Sequence, residues 1–168
     1  MKKILLFMTM MTSFATFAQS NYETATDEQN RSVVFKGNIS FDDLQAEKTF
    51  EWFQKSKTYT PDAGSIEFLR NNLSRYRMVV FMGTWCEDSH YLMPRLYKVL
   101  SEAGYPLAEL TMYGVDRTKT TKDGAHEQYN VSKVPTIIIL DKGVEKGRIT
   151  ETTRKSVDAD LVNIIKGQ

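Results

Sequence analysis

A single cysteine, Cys86, occurs in 168 residues, alongside four prolines and two histidines. One thiol cannot close an internal disulfide, so an apolar core has to hold this chain together. The thiol itself is buried and inert, joined to another molecule, or reactive. One Cys with His90 and His126 at these spacings does not form a closed zinc site, and no metal or other cofactor is expected. Glycine-rich phosphate loops, dinucleotide fingerprints and serine-nucleophile elbows are missing. Charge of one sign is scarce too: 22 Lys and Arg stand against 21 Asp and Glu, for a formal net charge of +1. Neither nucleic acid nor an acidic membrane surface is therefore an expected partner. No apolar run reaches the ~20 residues that a membrane span needs.

What is present begins with a basic Met1-Lys2-Lys3, an apolar stretch from Ile4 to Phe17, and Thr16-Phe17-Ala18 before Gln19. Small residues at 16 and 18 suit a signal peptidase, so residues 1–18 read as a cleaved signal peptide. The mature chain is expected to be soluble and exported, periplasmic or extracellular, without stable membrane insertion. Residues 19–32 are polar and aperiodic and read as a flexible leader. The rest, 33–168, suits one domain, with 41% hydrophobic and 26% charged residues over the whole chain.

Hydrophobic spacing orders the elements. Ser32 to Phe35 reads as a short edge strand. Ser40 and Asp43 form a capping-box pattern that opens a helix to about Ser56, and a second helix follows over about 63–73. Met78 to Met82 is a continuous apolar run, the pattern of a strand buried on both faces. A helix from Asp88 to Gly104 carries Leu92, Met93, Leu96, Val99 and Leu100 at helical spacing. Strands at 110–115 and 136–140, a short helix near His126 to Tyr129, a turn at Asp141-Lys142-Gly143, a strand at 144–149 and a helix opened by Ser156 complete the chain. Strands alternating with helices predict a parallel α/β sheet with helices on both faces and one antiparallel edge strand.

Cys86 falls between the Met78–Met82 strand and the following helix. Unpaired N–H groups and the positive end of the helix dipole favour a thiolate there. Trp85 supplies an apolar wall. Glu87 and Asp88 oppose a second negative charge. His90, one turn along, is a candidate support for the thiolate as an imidazolium. His126 reads as a surface residue, with a catalytic Cys86–His126 dyad as the alternative if it folds back, and Asp116-Arg117, at the functional edge of the sheet, as a surface ion pair with a substrate contact as the alternative.

The apolar strand, Trp85-Cys86-x-x-Ser89, Pro94 eight residues after the cysteine, and Val134-Pro135-Thr136 before the Ile-rich strand resemble the thioredoxin family over about Arg77 to Lys166. The resemblance implies a thioredoxin-like fold: a central mixed sheet flanked by helices, here with an N-terminal helical extension and a core over 77–166. It implies Cys86 as the catalytic nucleophile beside Trp85 and Ser89. It also implies a cis Pro135 facing the sulfur, with Val134, Pro135 and Thr136 binding substrate and Glu87, Asp88 and His90 as modulators. Three departures qualify this. Ser89 replaces the second thiol, so it cannot resolve a mixed disulfide, although its hydroxyl is placed to hydrogen-bond a Cys86 thiolate. Val80 stands where the family often has a buried Asp. Glu87-Asp88 replaces Gly-Pro. The expected activity is an exported monothiol thiol–disulfide oxidoreductase acting on protein or low-molecular-weight thiols and disulfides, with an external thiol for resolution. The alternatives are a peptide-binding module without turnover and a reversible redox sensor.

Overall fold

The computed structural model describes residues 21–55 and 58–168. The signal peptide expected over 1–18 lies outside the described residues. The leader expected over 19–32 does not stay loose: Tyr22–Thr26 is a strand, β1. It pairs antiparallel with β2, Val33–Ile39, so β2 is not the edge strand the sequence suggests. β1 escapes hydrophobic patterning because four of its five residues are exposed and only Tyr22 is half-buried.

The helix expected over 40–56 is two: α1, Phe41–Ala46, and α2, Glu51–Lys55. The Ser40–Asp43 capping box forms in both directions. Glu47 then ends α1 with an extended backbone, and its carboxylate accepts from the Thr49 N–H at 3.0 Å. The break has a packing reason. At 3.6 residues per turn, Phe50 would stand roughly 180° round a continuous helix from Phe41. With the break, Phe41, Leu44, Phe50 and Phe53 all reach one core.

The remaining elements follow the predicted order: α3 Ala63–Asn72, β3 Arg77–Met82, α4 Glu87–Ala103, β4 Leu110–Gly114, α5 Ala125–Gln128, β5 Thr136–Asp141, β6 Val144–Thr150 and α6 Val157–Lys166. Six strands form one sheet in the order β1-β2-β4-β3-β5-β6. The sheet is mixed. Only the β3–β4 pair is parallel among the described strands, and β5 lies antiparallel to β3, so the parallel sheet expected from alternation is corrected. A parallel neighbour needs a helical crossover, and α4 supplies the one between β3 and β4. The connection from β4 to β5 brings the chain back in the opposite sense.

Alternate residues of β3 and β5 face opposite sides. Met78, Val80, Met82, Ile137 and Ile139 join a large core built with α1, α2, α3, α4 and α6. Val79, Phe81, Ile138 and Leu140 join a smaller one with Val115, Ala125, Val131 and Val134. Helices do cover both faces, very unequally: four-residue α5 is the only described helix in the smaller cluster.

Candidate functional site

β3 ends at Met82 and the chain turns through Gly83-Thr84-Trp85 into α4. The Cys86 N–H donates to the Gly83 carbonyl at 3.0 Å, closing that turn. Gly83 is required by its neighbour, because a Cβ there would meet the Trp85 indole at 2.7 Å. Cys86 caps α4 with an extended backbone (φ −99°, ψ 124°), and its carbonyl accepts from the His90 N–H at 3.0 Å. Cys86 is free and half-buried, packed against the smaller core beside Trp85.

Across from it, the Val134–Pro135 peptide is cis, and the Cys86 thiol donates to the Val134 carbonyl at 3.5 Å. Cys86 at the start of α4 and Val134 on the approach to β5 are thus brought together. The side chains expected at the site are not equally available. Val134 and Pro135 are buried. Thr136 is 1% exposed, and its hydroxyl donates to the Lys133 carbonyl at 2.7 Å, bracing the bend from behind. Ser89 is fully buried and its Oγ accepts from the Gly83 N–H at 3.2 Å, so this oxygen is engaged by the turn. Val80, also 0% exposed, lies in the large core and brings no proton carrier to the site. Glu87 and Asp88 are exposed in the first turn of α4.

His90 is placed for architecture. Its ring stacks on Trp52 with centroids 4.3 Å apart, and Nε2 lies 2.7 Å from the Thr84 carbonyl, so that nitrogen carries the hydrogen. Burial holds its pKa below the ordinary histidine value, against the opposing pull of the Thr84 carbonyl and Glu87. That favours a neutral ring over the imidazolium expected to support the thiolate. His126 is less superficial than expected: its Nδ1 accepts from the Thr121 N–H at 3.1 Å. Among the described residues, no group of three or more His, Cys, Asp or Glu could hold a metal ion.

Thr84 and Asn30, which the sequence does not single out, border Trp85, and so does Arg117, with a different partner from the one expected. Thr84 is fully buried; its hydroxyl donates to the Val33 carbonyl at 2.8 Å and accepts from the Phe35 N–H at 3.1 Å, tying the site turn to β2. Asn30 Nδ2 donates to the Trp85 carbonyl at 3.2 Å. Arg117 does not pair with Asp116. Its guanidinium donates twice to Asp27, at 2.7 and 3.0 Å, and lies 4.5 Å from the Trp85 ring centroid. Asp116 pairs with Lys36 instead. The Arg117 hydrogen bond pulls the Asp27 pKa down to about 2. The Trp85 indole N–H donates to the Val115 carbonyl at 2.8 Å.

A strand–turn–helix carrying one thiol against a cis X-Pro bend, on a six-stranded mixed sheet, defines a thioredoxin-fold domain. Residues 67–166, more than half the chain, match the Thioredoxin family model, and the chain belongs to that family. Among solved structures it is similar to a protein of unknown function from Pseudomonas aeruginosa, with TM-score 0.58 and 16% identity over 77% of this chain and 93% of that one. An HIV epitope-scaffold aligns with TM-score 0.52 and 16% identity over 77% of this chain and 84% of that one. Thioredoxin O2 from Arabidopsis thaliana, in its oxidized state, aligns with TM-score 0.39 and 21% identity over 61% of this chain and 82% of that one. No curated protein matches the chain. No described helix is long and apolar enough to cross a membrane.

Proposed function

We propose that this protein is an exported thiol–disulfide oxidoreductase that works through Cys86 alone. The observation that carries this reading is the sulfur of half-buried Cys86 at the start of α4, 3.5 Å from the carbonyl of the cis Val134–Pro135 peptide. The Cys86 thiolate attacks one sulfur of a substrate disulfide. A Cys86–substrate mixed disulfide forms, and the other substrate sulfur leaves as a thiolate that takes up a proton. With Ser89 in place of a second thiol, an external low-molecular-weight thiolate attacks the mixed disulfide, frees Cys86 as thiolate and leaves with the substrate sulfur as a new disulfide. No net electron transfer remains on the protein. Trp85 walls the sulfur, and the Val134 backbone is where an extended substrate docks. Substrates are protein or low-molecular-weight disulfides.

Because Ser89 cannot release the adduct, the native protein itself acts as a trap. The mature chain, beginning at Gln19, is expected to carry disulfide-linked partners on Cys86 that reductant releases, visible by non-reducing gel and mass spectrometry. Exchange with a model disulfide is lost in Cys86→Ser. A native chain that neither forms adducts nor exchanges overturns the proposal.

A second reading, peptide binding without turnover, draws on buried Ser89 and Val80, which leave neither a resolving thiol nor a carboxylate beside it. It requires partner binding that survives Cys86→Ala, and loss of all partners in that variant removes it.

A further inference from the structure

The β1–β2 loop, residues 27–32, lies outside the matched family region yet touches the site at its tryptophan. The loop is organised by its own bonds. The Asp27 N–H donates to the Ser32 carbonyl at 2.8 Å, and Asp27 Oδ1 accepts from the Gln29 and Asn30 N–H groups at 3.0 and 2.9 Å. From this frame Asn30 reaches the Trp85 carbonyl. The Asp27 carboxylate, 4% exposed, takes both guanidinium bonds from Arg117, which lies over the Trp85 ring. Lys119 Nζ stands 5.9 Å from the same ring centroid. An indole beside a reactive sulfur is a ready apolar platform for a macromolecular partner. Here the protein's own guanidinium occupies it. A folded protein surface pressing on Trp85 has to displace Arg117, which would leave the buried Asp27 carboxylate without its counter-charge. A small disulfide reaching half-buried Cys86 does not.

We propose that Asp27, Arg117 and Asn30 are specificity-determining residues that fix the 27–32 loop as a wall over Trp85, so that Cys86 accepts low-molecular-weight disulfides in preference to disulfides on folded proteins. This deepens the oxidoreductase reading by naming its substrate class, and it rests on Cys86 being the atom that substrates approach.

The test measures access without redox turnover. Cys86 is alkylated with N-ethylmaleimide and, separately, with the same maleimide carried on a polyethylene glycol chain. Native protein is compared with Asp27→Asn and Arg117→Ala, under conditions where all three give the same circular dichroism. Asp27→Asn keeps an oxygen for the Gln29 and Asn30 amides, so the turn survives while the ion pair is lost. In both variants the bulky reagent is expected to accelerate by about tenfold, with the small reagent changed by less than about twofold. A rate ratio that stays at the native value in either variant, or equal acceleration of both reagents, overturns the wall. Maleimide reacts with any accessible thiol, so a Cys86 inert in disulfide exchange would remove the oxidoreductase reading while the access ratio still decides the wall.

Discussion

On one face of the sheet, Met78, Val80, Met82, Ile137 and Ile139 lie beneath five helices. On the other, Val79, Phe81, Ile138 and Leu140 meet a few residues of α5 and its flanking loops. The thiol belongs to the second face, packed with Trp85 against the smaller cluster. The large face is held by apolar area, which is non-directional and strong in sum. The small face is finished by directional contacts around Trp85: its indole to Val115, and Arg117, which lies over that ring, to Asp27. Such contacts fix positions while adding modestly to net stability. Stability and site geometry are therefore separable by mutation.

The largest effect is expected at the centre of the large face. Leu96 is 0% exposed in α4. Leu96→Ala removes its buried methyl groups and leaves a cavity, at about 3 kcal/mol in denaturant unfolding. On the small face, Val131 is 7% exposed at its rim, and Val131→Ala is expected to cost about 1.5 kcal/mol. Equal losses at the two positions would show that the two faces contribute alike to stability.

Next comes Gly83→Ala, where the added methyl meets the indole of Trp85 at 2.7 Å. The indole is pinned by its bond to Val115 and by Arg117, so the turn has to shift. The expected cost is about 2 kcal/mol, the range of overpacking, with a changed rate of Cys86 alkylation. An unaltered alkylation rate would show that Trp85 does not set the position of the sulfur.

The sequence made the site's centre legible because three signals coincide there: a two-face apolar strand, a lone cysteine at the next helix start, and Val134-Pro135 before the Ile-rich strand. The large core was legible for a related reason, since Leu92, Leu96, Val99 and Leu100 keep helical spacing and are all fully buried. The rim was not. β1 presents almost no apolar pattern because it is nearly all exposed, so it reads like a leader. Asp27 and Arg117 are 90 residues apart, and a salt bridge at that separation has no local signature; adjacency pointed instead to Asp116 with Arg117. The break between α1 and α2 was hidden because the residues around Glu47 are helix-compatible, and only the shared destination of Phe41 and Phe50 demands it.

The two faces also divide by acid sensitivity. His90 lies against Trp52, which packs on the large core. Its folded-state pKa is below the ordinary 6.5, chiefly through burial. An unfolded chain then binds more protons than the folded one as pH falls below about 6.5, so this contribution is present above that pH and lost on acidification through the folded value. The unfolding midpoint should fall over that window, and His90→Phe, which keeps an aromatic ring on Trp52, should flatten it. An equally steep slope in the variant would place the sensitivity elsewhere.

The smallest global effect, and the sharpest local one, is expected at Asp27 on the small face. Its carboxyl is lowered from 3.8 to about 2 by the Arg117 hydrogen bonds. A depressed carboxyl stabilises the closed loop above the free value and loses that contribution as pH falls from about 3.8 through about 2. Arg117 stays charged throughout, so the change is one-sided: the acceptor of the pair disappears and the guanidinium over Trp85 loses its tether. The Asp27 carboxyl carbon should titrate by NMR with a midpoint at about 2, returning toward 3.8 in Arg117→Ala. Exchange of the Gln29 and Asn30 amides, which donate to the same carboxylate, should rise in step. The pair ties only the 27–32 loop to Arg117, and neither residue belongs to the large core, so loop exchange should change before the large-face amides of β3 do. If those amides loosened together with the loop, the two faces would be one cooperative unit.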